Sequence, residues 1–95
     1  MTITLHDRLK IPEEVVIRKL GDEMVLLNLE TGIYYGLEPV GTRFLELLEE
    51  SCELALVHRK MLEEFEVLPE TLESDLLRLS EELVAKGLLT RDVQA

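Results

Sequence analysis

The chain has 95 residues, 46% hydrophobic and 32% charged, with a formal net charge of −10. That length fits one small domain, residues 1–95 with a core over about 12–89, and so acidic a chain would repel a phosphate backbone, which argues against a nucleic-acid partner. No apolar run approaches the roughly 18–20 residues of a membrane span, MTITLHDRLK lacks a signal-peptide segment, and the lone Cys52 cannot form an intrachain disulfide; a soluble cytoplasmic protein without a membrane partner is expected.

Residues 1–13 have weak periodicity, and Pro12 disfavours helix before it; they are expected as an extended lead-in, ordered on binding. Residues 14–20 (EVVIRKL) are β-branched and predict a strand, with Gly21-Asp22 as its turn. Residues 24–29 are apolar on both faces and predict a central strand covered on both sides. Glu30-Thr31-Gly32 predicts a hairpin loop, and residues 33–37 a third strand.

Pro39 suits the first turn of a helix to about Glu50, with Val40, Phe44, Leu47 and Leu48 on its apolar face. Ser51 is the expected N-cap of a second helix running to about Phe65, burying Leu54, Val57, Met61, Leu62 and Phe65. Pro69 opens a third helix to about Lys86, closed by Gly87 with Leu88 folding back on Leu83 or Val84. Residues 90–95 are expected to fray. On the third helix Leu72, Leu76, Leu79 and Leu83 cluster within about 60°, while Leu77 and Val84 extend the apolar arc by another 80–160°. Either the helix packs against all its neighbours, or one flank lines a groove. The expected class is α+β: a three-stranded antiparallel sheet followed by three helices, of winged helix-turn-helix type.

No catalytic constellation emerges. His6, His58 and Cys52 lack zinc-ligand spacing. Cys52 and His58, read on one helix, would lie about 9 Å apart along its axis on different faces, which suits packing rather than nucleophile activation. Gly32, Gly36 and Gly41 form no phosphate cradle. The glutamates fit solvated helix faces. No enzyme activity, cofactor or metal is expected. DNA recognition by the third helix is disfavoured, because it sets five acidic residues against Arg78 and Lys86.

The two sheet edges differ. The first strand is guarded by Pro12, Glu13, Glu14, Arg18 and Lys19. The third, Ile33-Tyr34-Tyr35-Gly36-Leu37, carries neither charge nor proline. It reads equally as an edge that accepts an extended peptide or as one short enough to need no guard.

The run VLLNLETGIYYGLEPVGTRFLELLEE, with LPETLESDLLRLSEELVAKGLL after an intervening helix, resembles the PqqD-like family of precursor-peptide recognition elements. Leu29, Gly32, Tyr35, Leu37, Gly41 and Leu48, in that order and spacing, carry the resemblance, with Lys86-Gly87-Leu88-Leu89 agreeing. The resemblance implies a non-catalytic adaptor that adds a leader peptide to its third strand. Ile33, Tyr34, Tyr35 and Gly36 would meet the leader, while Leu72, Asp75, Leu76 and Leu79 would line the facing groove. The chain lacks the proline-glutamate after the second strand, the Asp-Gly after the first helix and the C-terminal tryptophan usual in pyrroloquinoline quinone synthesis. It looks more like the discrete leader-binding proteins of lasso-peptide clusters. Those imply a leader-removing cysteine protease and an ATP-dependent cyclase as partners. The alternatives are a peptide chaperone for a radical-SAM enzyme and a homodimeric interaction module.

Overall fold

The β-branched Val15, Val16 and Ile17, stiff at χ1, open strand β2 (Val15–Leu20). Gly21, at φ 65°, turns the chain into β3 (Glu23–Asn28). β4 (Tyr34–Leu37) returns along the far side of β3, giving an antiparallel sheet of order β2-β3-β4. Leu26 stands opposite both Ile17 and Tyr35, and Met24 opposite Lys19 and Leu37. The computed structural model describes residues 2–92.

The sheet is covered on one face only. Val15, Met24, Leu26 and Leu37 point into the core. On the other face Val25 and Leu27 are half-buried, and Val16 and Tyr34 are exposed. The expectation that residues 24–29 are covered on both sides is therefore corrected: the strand is central, but the helices occupy a single face. Leu29 follows the strand, its N–H still donating to Glu14 O at 2.8 Å, and its side chain is exposed.

Helix α1 (Pro39–Ser51) buries Thr42, Phe44, Leu45, Leu47 and Leu48. Val40, expected on that face, is exposed. Cys52 ends the helix in a left-handed conformation, φ 64°, its N–H bonded to Leu48 O. Ser51 is therefore the last residue of α1 and not the N-cap of the next helix. Helix α2 (Leu54–Glu64) buries Leu54, Val57, His58 and Met61; Leu62 and Phe65 are half-buried against that core.

Helix α3 (Pro69–Ala85) is capped as its sequence predicts. Gly87, at φ 74°, donates its N–H to Val84 O at 3.0 Å, and Leu88 N donates to Leu83 O at 2.9 Å. That pair of bonds defines a Schellman cap, and Leu88 is fully buried beneath it.

The termini depart most from expectation. β1 (Leu9–Lys10) pairs antiparallel with β5 (Thr90–Arg91), Leu9 facing Arg91 and Lys10 facing Thr90. Ile3 and Leu9 lie in the core. Ile3 N donates to Glu81 Oε2 at 3.1 Å, and Arg91 bonds Asp7 Oδ1 at 2.8 Å and Thr2 O at 2.9 Å. The lead-in is thus a clasp, and the core starts ahead of position 12. Residues 90–92 are part of it; positions 93–95 of the expected frayed tail lie outside the described residues. The fold is α+β, of winged helix-turn-helix type. Among the described residues no helix is long and apolar enough to cross a membrane.

Candidate functional site

The site begins with Asn28, at the end of β3. Its N–H donates to Ile33 O at 2.8 Å, and its carbonyl accepts from Gly32 N at 2.8 Å. Its side-chain Oδ1 accepts from Glu30 N at 2.9 Å and Thr31 N at 3.1 Å. Gly32, at φ 77°, supplies the left-handed step that completes the loop. The amide Nδ2 donates to Gly87 O at 2.8 Å, tying the hairpin to the cap of α3. One buried side chain thus fixes where β4 starts and where it sits relative to α3.

Antiparallel pairing alternates, so the Asn28–Ile33 bond sets which groups of β4 face β3. Ile33 turns its C=O inward while its N–H donates to Thr31 Oγ1 at 3.2 Å, and Tyr35 and Leu37 turn both groups inward. Tyr34 and Gly36 turn theirs outward, along an edge with no neighbouring strand among the described residues. Side chains alternate as well. Tyr35 and Leu37 share the core-facing side with Leu26 and Met24, whereas Tyr34 lies on the outer face at 73% exposure.

Beside this edge lies a cavity of about 280 Å³, lined by Tyr35, Gly36, Leu37, Glu38, Gly41 and Leu79. Gly41 keeps it open, because a Cβ there would come within 3.1 Å of Leu37 Cδ2 and 3.6 Å of Leu79 Cδ2. Tyr35 spans from the strand to α3 and donates its hydroxyl hydrogen to Glu82 Oε1. That hydrogen bond pushes the phenol pKa up; burial and the charges of Glu82 and Glu38 add to the effect. The phenol therefore remains a protonated donor at neutral pH. A second hollow of about 240 Å³, with Leu20, Glu23, Met24 and Val25 in its lining, also touches Gly36, Leu37 and Glu38. The Gly36 backbone thus runs between two hollows, ready to meet an extended chain whose side chains alternate.

Of the residues singled out in sequence, Tyr35, Gly36 and Leu79 come together at the cavity. Tyr34 is on the same edge, and Ile33, 40% exposed, precedes β4. Leu72 and Leu76 do not join them: at 4% and 3% exposure they belong to the core. Asp75 is exposed and pairs with Arg78 at 2.9 Å, on its own helix. Leu37, the end of the uncharged edge read in sequence, joins Tyr35, Gly36 and Leu79, and the structure adds Asn28, Glu38, Gly41 and Glu82. Asn28 before Glu-Thr-Gly was legible as a side-chain-capped turn. Glu82, one turn beyond Leu79, follows from helix geometry once Leu79 is placed.

The rest of the molecule presents less. A larger hollow of about 780 Å³ lies between residues 10–14 and the end of α3, but its neighbours Lys10 and Thr90 are already paired with each other. Cys52 caps α1 and does not belong to α2. His58 Nε2 lies 3.0 Å from Pro69 O, a contact that requires the Nε2–H tautomer and makes the ring a tie between α2 and α3. Among the described residues no three potential metal ligands gather. The free edge and its cavity can hold an extended backbone in register; they offer no nucleophile–base pair.

Residues 23–89 match a family model described as coenzyme PQQ synthesis protein D (PqqD). The chain is 37% identical to a solved structure of TbiB1 in complex with the TbiA(β) leader peptide, with a TM-score of 0.81 over 90% of this chain and 98% of that one. It is 23% identical to a lasso peptide synthetase B1 solved with the leader peptide, at TM-score 0.79 over 87% and 98% of the two chains, a likeness of fold. No curated protein matches the chain.

Proposed function

The chain belongs to the PqqD family, and on that premise we propose that it is a non-catalytic adaptor for the leader segment of a ribosomally made precursor peptide. The leader adds as a strand to β4 and is presented to a maturation enzyme, a leader-removing cysteine protease of lasso-peptide synthesis, ahead of an ATP-dependent cyclase. The observation that carries this reading is the β4 edge, unpaired among the described residues, running past a cavity that Leu37 and Leu79 line together with Tyr35 and Glu38. Strand addition satisfies the outward groups of Tyr34 and Gly36, and an apolar leader side chain fills the space between Leu37 and Leu79. The likeness to TbiB1 supports the same reading. By holding the precursor close, the adaptor raises its concentration at the enzyme without making or breaking a bond.

Titration with synthetic leader segments of lasso-peptide precursors tests the proposal. The amides of Tyr34 and Gly36 are expected to shift and to gain protection from hydrogen exchange. Shifts confined to α2 would overturn it. The description of the matching family as a PQQ-synthesis protein supports a second reading, a chaperone that serves a radical-SAM enzyme. Co-purification with one enzyme class or the other separates the two.

A further inference from the structure

Resting on the peptide-adaptor reading, we propose that the segment taken up along β4 carries a basic side chain opposite Tyr35, which pairs with Glu82 on α3. A strand that bonds to the outward groups of Tyr34 and Gly36 places the residue opposite Tyr35 with its side chain on the α3 side of the sheet. There it meets the wall formed by Tyr35 and Glu82. The Tyr35 hydroxyl occupies Glu82 Oε1 and holds the carboxylate beside Tyr35, which lines the cavity. Glu82 Oε2 accepts no hydrogen bond among the described residues.

Three further features separate Glu82 from an ordinary solvated glutamate. It forms no ion pair with any described residue; Lys86, one turn on, is exposed and does not pair with it, while the adjacent Glu81 is engaged by Ile3 N. The carboxylate of Glu38, just after β4, adds to the negative field at the Tyr35 phenol, and it too forms no ion pair with any described residue. The carboxylate is already oriented, so a cation that reaches it orders fewer groups than it would at a freely rotating side chain. An acidic side chain at the same position would stand between two like charges and be rejected. With its net charge of −10, the whole protein favours the same sign of ligand.

Selection of a displayed library of random peptides on the intact protein, in parallel with Glu82→Gln, tests this. Glutamine keeps the acceptor for the Tyr35 hydroxyl and removes the charge. Aligned binders are expected to carry lysine or arginine at one fixed position. Replacing that residue by norleucine is expected to weaken binding about threefold, the scale of a partly exposed ion pair. On Glu82→Gln the preference and the penalty disappear while binding persists. Binders that shift the Tyr34 and Gly36 amides but show no basic preference overturn the inference and leave the adaptor reading standing. So does a preference that survives Glu82→Gln. A library that yields no binders, or binders that leave those amides unmoved, overturns both.

Discussion

Asn28 shows how much one side chain decides here. It is 3% exposed and makes three side-chain hydrogen bonds, two to the β3–β4 loop and one to the cap of α3. Asn28→Ala is expected to cost about 2–3 kcal/mol in urea unfolding, because it strands buried backbone groups on two elements. It is also expected to speed hydrogen exchange in β4, whose register the loop sets. Ser80 is the opposite case. It is fully buried in α3, and its Oγ has no partner among the described residues. Ser80→Ala is expected to raise stability by about 1 kcal/mol in the same experiment, since alanine removes an unsatisfied hydroxyl and favours the helix. The Asn28 turn is legible in sequence, but its tie to α3 and the burial of Ser80 are not, because both arise from elements far along the chain.

At the scale of elements, β4 is short and open on one side, and α1 keeps the adjacent space clear by carrying Gly41 at its closest approach to Leu37 and Leu79. Gly41→Ala is expected to leave the fold intact, alanine being the better helix former. Leu37 must move by a few tenths of an ångström, and the cavity narrows. Peptide affinity is therefore expected to fall by about tenfold while the unfolding midpoint changes little. A calorimetric titration set beside a melt reads both. The β1–β5 clasp makes a different prediction. Leu9 is fully buried, so Leu9→Ala is expected to cost about 3 kcal/mol, as for other large-to-small core changes. A peripheral lead-in would tolerate the change. The sequence concealed the clasp because the apolar Ile3, Leu5, Leu9 and Ile11 are interrupted by a turn at Leu5-His6, and Leu9 and Lys10 pair with a segment some 80 positions away.

At the scale of the molecule, a network of Lys19, Arg43, Glu46 and Glu64 ties β2 to α1 and α2. Arg43 bonds both carboxylate oxygens of Glu64 at 2.8 Å, and Lys19 bonds Glu46. Hydrogen bonding from Lys19, aided by Arg43, holds the Glu46 carboxyl below its ordinary value despite partial desolvation. Hydrogen bonding from Arg43 does the same for Glu64. Arg43 stays charged throughout. Because both folded-state values are depressed, their stabilisation is complete above the unfolded glutamate pKa of about 4.3 and is lost as pH falls through the lower folded values. Melts between neutral and acid pH are expected to show that decline, and Arg43→Met to make it shallower. These groups are partly exposed, so the effect is modest and fades in high salt.

The sequence by itself determined the order of the three sheet strands and the three helices, the proline starts of α1 and α3, the glycine cap at Gly87 and the family resemblance carried by residues 29–48. All of these are local: period, turn residues and caps act within a few positions. It also singled out the Ile33–Leu37 stretch, because an absence of charge can be read from the letters. Tertiary structure alone decided that Leu72 and Leu76 face the core while Leu79 and Glu82 face the edge, since four apolar residues on one helical arc look equivalent until neighbours are placed around them. It alone joined the two ends of the chain and made Asn28 the tie between β4 and α3. Those outcomes depend on contacts between residues distant in sequence, and no local propensity encodes which distant partner will arrive.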